Sequence, residues 1–247
     1  MKLALIADLH ANREAVSAVL DHARAQGAQR YAFLGDFVGY GADPAWVVDV
    51  VREHVAAGAI AVLGNHDAAA LHGPATTMRE DPRRAIEWTR AQLDDARLSF
   101  LAQLPLSVQQ GDTLFVHANT FEPPNWAYIV GRMEAALCLQ ATPCRLVFCG
   151  HMHDPMLFHL DGDGDADELR PRPGDAIALS PPGQWLAIVG SAGQPRDGNP
   201  AACYALHDGE HNRLSFHRVP YDHERAAAKI IAAGLPEALA QRLRAGL

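Results

Sequence analysis

The stretch Lys2-Leu3-Ala4-Leu5-Ile6-Ala7-Asp8-Leu9-His10 is an apolar run that closes abruptly on a carboxylate and an imidazole. A short apolar run bounded by polar residues reads as a buried strand. The segment after it reads as a helix, because Ala15, Val16, Val19, Leu20 and Ala23 share one face and Gly27 marks a stop. This unit recurs along the chain. RYAFLGD (30–36) precedes a loop with Gly39, Gly41 and Pro44 and then a helix from about Ala45 to Ala57. AIAVLGNHD (59–67) precedes a helical insertion at about 68–104, where Asp81-Pro82 reads as a helix start. TLFVHAN (113–119) leads through a Pro-containing loop to a helix near Arg132–Gln140, and RLVFCGHMH (145–153) closes the alternation.

Beyond residue 155 the pattern changes. MLFHL, AIALS, WLAIVG, ACYALHD and RLSFHRV follow at short intervals, which predicts antiparallel pairing. A tail at about 222–247, rich in Ala, Leu and Arg, reads as helix broken near Gly234-Leu235-Pro236. With no internal repeat and no long linker, residues 1–247 read as a single α/β domain, parallel strands first, antiparallel strands later, helices outside.

The five early runs all end on the same chemistry: Asp8-Leu9-His10, Gly35-Asp36, Gly64-Asn65-His66-Asp67, His117, and Gly150-His151-Met152-His153. In open α/β sheets, sites lie beyond the carboxyl ends of strands. Glycines 35, 64 and 150 are expected to let the backbone turn and bring the next side chain inward. Each block alone has an ordinary explanation, as a turn, a helix cap or a core histidine. Together they deliver carboxylate, imidazole and amide oxygen to one edge, which predicts a pair of divalent cations held by Asp8, His10, Asp36, Asn65, His117, His151 and His153. Two such ions bring four positive charges and the two Asp return two, so the site stays cationic and draws an anionic phosphate. An oxygen and imidazole shell suits manganese, iron, zinc or nickel better than magnesium.

In these blocks the sequence resembles the calcineurin-like metallophosphoesterase family, whose pattern runs D-x-H, GD, GNH(D/E), H, GHxH in that order. GSAGQPRDG (190–198) and the GLP-containing tail resemble its small bacterial and archaeal branch, with diadenosine-tetraphosphatase-like members. The resemblance covers roughly 1–220 and implies a four-layer αββα sandwich of two mixed sheets with the site at one edge. It implies that Asp8, His10 and His153 bind one metal, that Asn65, His117 and His151 bind the other, and that Asp36 bridges both. A metal-bridging water would attack phosphorus, and His66 would protonate the leaving oxygen.

One block departs from the protein-phosphatase branch, which continues GD with V-D-R-G to supply an Asp for the catalytic His and an Arg for phosphate. Here Gly39 and Tyr40 stand in those places. His66 therefore needs another partner, with Asp67 and Asp43 as candidates. Arg196, in a Gly- and Pro-rich loop, is a candidate phosphate binder. Asn12 is either a phosphate donor or a helix N-cap. Phe121, Trp126 and Tyr128 are candidates to stack a nucleobase.

The expected function is hydrolysis of a phosphate mono- or diester of a small molecule or nucleotide. A dinucleoside polyphosphate hydrolase, a protein phosphatase and a catalytically silent binding scaffold are the alternatives. The 247 residues carry 21 basic and 29 acidic side chains, net −8, which counts against a nucleic-acid partner. No apolar stretch approaches the roughly 20 residues of a membrane span. Cys138, Cys144, Cys149 and Cys203 form no C-x-x-C pair, and the chain opens on a strand without a charged leader. A cytoplasmic protein is expected.

Two other features read as ordinary surface. The acidic run at 161–168 lacks the Gly and Glu positions of a calcium loop and reads as a solvated loop between strands. Arg79, Arg83, Arg84 and Arg90 read as the wet face of a helix.

Overall fold

A computed structural model describes residues 1–247. Strand β1 (Lys2–Ile6), helix α1 (Arg13–Ala25), β2 (Arg30–Phe33), α2 (Pro44–Ala56) and β3 (Ile60–Ala61) repeat the opening strand-helix unit and begin it a third time. Three helices follow, α3 (Asn65–His72), α4 (Glu80–Gln92) and α5 (Asp95–Ala102). Then come β4 (Ser107–Gln110), β5 (Thr113–Val116), α6 (Arg132–Gln140) and β6 (Leu146–Cys149). The late strands are β7 (Met156–Leu160), β8 (Ala166–Leu169), β9 (Ala176–Ala178), β10 (Gln184–Ile188), β11 (Ala202–Asp208) and β12 (Arg213–Val219). The tail is α7 (His223–Ala232) and α8 (Glu237–Ala245), separated at the Gly-Leu-Pro break.

The strands assemble into two six-stranded mixed sheets, ordered β3-β2-β1-β11-β12-β9 and β4-β5-β6-β10-β7-β8. β1, β2 and β3 run parallel in the first, and β5, β6 and β10 in the second, with antiparallel strands completing both. Strand alternation sorts side chains between layers. Leu5 and Ala7 point into a cluster between the sheets with Phe115, Phe148, Ala205 and Phe216. Ala4 and Ile6 face the other way, toward Val16, Val19 and Val48 of α1 and α2. Ala135, Cys138 and Leu139 of α6 cover the outer face of the second sheet. The result is the four-layer αββα sandwich.

The acidic run at 161–168 is not wholly a loop: β8 takes its last residues and pairs antiparallel with β7. Arg79, Arg84 and Arg90 are exposed, as a wet face requires, but Arg83 and Arg90 also bind backbone. Arg83 donates to the carbonyls of Ala75, Thr76 and Met78, and Arg90 to those of Ala69 and Ala70. They fasten the insertion by satisfying backbone oxygens left over at helix and loop ends. All four cysteines are buried thiols, and no helix is long and apolar enough to cross a membrane.

Candidate metal centre

The carboxyl ends of β1, β2, β3, β5 and β6 come from both sheets and converge on one buried cluster. Asp8, His10, Asp36, His117, His151 and His153 are all nearly inaccessible there. Five of these six, Asp8, His10, Asp36, His151 and His153, have positive φ between 45° and 68°. Nine non-glycine residues in the chain do so, and Tyr40 is a further one at this site. Left-handed backbone costs on the order of 1 kcal/mol or more at each such residue, and it is tolerated where surrounding structure enforces it. Here it aims five side chains at one point.

Of the three glycines expected to make turns, only Gly35 has positive φ. Gly64 and Gly150 act by close approach instead. A Cβ at Gly64 would collide with Asp36, and one at Gly150 would lie 2.6 Å from Asp8 Oδ2.

Three donor groups overlap here, and Asp36 belongs to two of them, one with His10 and His66 and one with His117 and His151. Ligand atoms of Asp8, His10 and His153 lie within 4.8 Å of one another, as do those of Asp36, His117 and His151. Asp36 Oδ2 is 3.8 Å from His10 Nε2 and 3.4 Å from His117 Nε2, so it lies between them. Asn65 Oδ1 is 3.0 Å from His117 Nε2. All seven expected residues are therefore brought together.

The hydrogen bonds decide which atoms are free. His10 Nδ1 lies 3.2 Å from the carbonyl of Val38, and His153 Nδ1 lies 2.6 Å from that of Gln194. A carbonyl only accepts, so each Nδ1 carries the hydrogen. Burial, ahead of neighbouring charge, holds both rings well below the usual imidazole range, so both are neutral. Each Nε2 is then a bare lone pair, yet the two face each other at 3.1 Å. Two acceptors at that distance repel unless a cation lies between or beside them, so this half of the cluster fits a metal ion. His151 behaves alike with the nitrogens exchanged. Its Nε2 donates to the Trp126 carbonyl at 2.9 Å, and burial lowers its pKa to about 3, leaving Nδ1 as the lone pair.

Charge in the cluster is unevenly shared. Burial pushes Asp8 up to about 8. Burial also opposes ionisation of Asp36, but His117 and His66 outweigh it and hold that carboxyl well below the usual range. His117, against its own burial, is raised to about 9 by Asp36.

The remaining predicted residues divide. Asp67 is wholly buried, and its carboxylate accepts from the amides of Phe37, Val38 and Gly64. It clamps the loop after β2 onto the start of α3 and makes no hydrogen bond to the His66 ring. Asp43 pairs with Lys229 instead. Asn12 caps α1, accepting from Ala15 N–H, while its amide donates to the Gly193 carbonyl and the Tyr221 hydroxyl. Nothing is left over for a phosphate. Arg196 does reach the site, with Nη2 3.4 Å from the Tyr40 hydroxyl and 3.2 Å from Gln194 Oε1.

His66 has no hydrogen-bond partner at Nδ1, which is buried. A Cβ at Gly39 would sit 2.5 Å from that nitrogen, so His66 occupies the room a side chain there would take. Its ring is held by the Tyr40 ring, 4.5 Å away, and Tyr40 is also 4.5 Å from His10. The Gly39-Tyr40 pair was visible in sequence only as the absence of Asp and Arg. Its packing role depends on a contact that sequence does not encode locally.

A double sheet that gathers histidines and carboxylates from five strand ends defines a class of phosphoester hydrolases. The chain belongs to the calcineurin-like phosphoesterase superfamily, whose domain matches residues 1–212. An uncharacterized protein of Methanocaldococcus jannaschii is 32% identical over 249 residues, covering 99% of this chain and 98% of its own. A metallophosphoesterase from Sphaerobacter thermophilus is similar in structure at a TM-score of 0.89 and 37% identity, over 100% of both chains. A hypothetical protein from Pyrococcus horikoshii shares the fold at a TM-score of 0.78 and 16% identity, over 100% of this chain and 98% of its own.

Proposed function

We propose that this chain hydrolyses a phosphate mono- or diester of a small molecule or nucleotide, using two divalent cations. Asp8, His10 and His153 would hold one, Asn65, His117 and His151 the other, and Asp36 both. The observation that carries this reading is the 3.1 Å approach of the His10 and His153 Nε2 atoms, each ring with its Nδ1 on a carbonyl, beside a second donor set joined through Asp36. When bound, such cations draw a phosphoryl group, offset its charge and acidify a water.

The chain's own residues supply the rest. His66 lines the open cleft above the cluster. With Nδ1 buried against Gly39, Nε2 is the nitrogen left to donate to a leaving oxygen. Arg196 lines the same cleft and is placed to hold phosphate oxygens. The reading favours small substrates over phosphoproteins, since the cleft is bounded by the insertion, residues 78–82, and by Arg242 of the tail. The buried free thiols support a cytoplasmic location.

The test is reconstitution with manganese, iron, zinc or nickel, metal content by mass spectrometry, and turnover of p-nitrophenyl mono- and diesters. Two ions per chain are expected, with one lost in His153→Ala. His66→Ala should lower kcat by about 10²-fold or more on alkyl esters and less on nitrophenyl esters, which leave without a proton. Two bound ions and no turnover across the panel would replace this reading with a binding scaffold.

A further inference from the structure

Two cavities meet over the metal centre, and their linings differ. The larger, about 820 Å³, runs from His66 and Arg196 outward past Arg79, Glu80, Asp81 and Arg242. The smaller, about 370 Å³, is lined by Ala68, Ala69, Trp126 and the ring of His151. Asn65, Met78 and Tyr128 line both, so these residues are the ridge on which the two cavities adjoin. Each has the size of a small-molecule site, whereas a phosphate group alone fills only a fraction of either.

We propose that the substrate is a phosphodiester whose two arms differ, a flat apolar arm in the Trp126 chamber and a neutral, hydroxyl-bearing arm in the Arg79 chamber. This rests on the phosphoesterase reading of the same site. A monoester has a single organic arm and would leave one chamber without a ligand. A diester, its phosphorus over Asn65, sends one arm to each side of the ridge.

The chemistry of each lining sets the arm it takes. Tyr128 already lies flat on His151, centroids 4.3 Å apart at 14°, and Trp126 stands 5.8 Å from the His117 ring. Planar apolar surface is what such walls receive. In the other chamber Arg79, Arg242, Glu80 and Asp81 form no ion pair or side-chain hydrogen bond within the chain, and their formal charges cancel once Arg196, in the same lining, is assigned to the phosphate. Guanidinium only donates and carboxylate only accepts, while a hydroxyl does both. That set suits a polyol or sugar better than a second phosphate, which the two carboxylates would repel. Hydrolysis adds water across one P–O bond. Phosphorus keeps the water's oxygen, and the released arm leaves as an alcohol after its oxygen takes a proton.

The test compares p-nitrophenyl phosphate, bis(p-nitrophenyl) phosphate and the p-nitrophenyl diester of glycerol phosphate on the reconstituted protein. Expected kcat/KM rises by about tenfold from the monoester to the bis-aryl diester and again to the glyceryl diester. The double variant Arg79→Gln/Arg242→Gln should lose about tenfold on the glyceryl diester and less on the bis-aryl one. Trp126→Ala should raise KM about tenfold for both diesters. Calorimetry with hydrolysis-resistant phosphonate counterparts reads the arms apart from turnover. Preference for the monoester, or variants that act equally on all three substrates, would overturn the two-arm assignment while leaving a phosphoesterase. Phosphonates that bind with the stated arm dependence, without turnover of any ester, would support the chambers and remove the catalytic reading.

Discussion

Tyr40 carries strain and contact at the same position. It sits at φ 65°, is 7% exposed, and packs against both His10 and His66, whose Nδ1 has no hydrogen-bond partner. Its ring does by packing what a hydrogen-bonding carboxylate would do, so it is a positioning residue. Tyr40→Phe keeps the ring and should leave kcat within about threefold. Tyr40→Leu should lower kcat by about 10²-fold, the lower end of what a positioned acid contributes, at unchanged metal content. An equal loss in both variants would assign the effect to the hydroxyl. Asp67 offers a separate check, because three buried amides depend on one carboxylate. Unsatisfied buried donors cost about 1–3 kcal/mol each and do not add fully, so Asp67→Ala should cost roughly 3 kcal/mol in urea unfolding.

Strand β12 lies against β11 and under α1, and the three share a polar cluster. His22 Nδ1 is 2.8 Å from the Tyr204 hydroxyl, His217 stacks on Tyr204 at 5.0 Å, and Ser215 Oγ is 3.0 Å from His217 Nε2. Burial, then His22 and Lys2, lowers His217 from 6.5 to about 4. Between those values the unfolded chain binds a proton that the folded chain refuses, so stability is full above pH 6.5 and falls as pH drops toward 4. Thermal unfolding at pH 7 and pH 5 should show a smaller loss for His217→Gln than for the native chain; equal losses would place the titration elsewhere. At this scale the sequence was most legible where burial was one-sided. α6 has the predicted bounds, and Asn12, Asp222 and the Gly-Leu-Pro break mark helix ends as read. β4 and β8 were not legible because both are edge strands with largely exposed side chains, which leaves no apolar alternation to read.

The whole molecule is held at the site by segments far apart in sequence. Tyr40 and Ala85 share a core cluster with Ala226, Ile230, Leu239 and Leu243 of the tail. That packing joins the tail to the loop after β2 and makes it part of what steadies Tyr40. Leu239 and Leu139 are equally buried, the first in the cluster that holds Tyr40 and the second on the inner face of α6. Each change to Ala should cost about 3 kcal/mol, or roughly 6–12 °C in Tm. Only Leu239→Ala should also lower kcat, measured well below the transition. A matching fall in Leu139→Ala would point to general loosening.

The sequence by itself determined which donors gather at one edge, because each candidate ligand follows an apolar run and a strand end is a local property. Asp8 and His10 are two residues apart and share a donor set, whereas His151 and His153, at the same spacing, fall in different sets, a division that packing decides. Tertiary structure alone decided which ring nitrogens face inward, since that depends on the carbonyls of Val38, Gln194 and Trp126. It also decided that Asp67 and Asn12 serve the backbone, and that Tyr40 rather than a carboxylate holds His66. The seven residues that opened onto one edge in the sequence remain one set. The cleft that sorts substrates over them is built from the insertion, the Trp126 loop and the tail, and contacts between such distant segments leave no periodic trace in any of them.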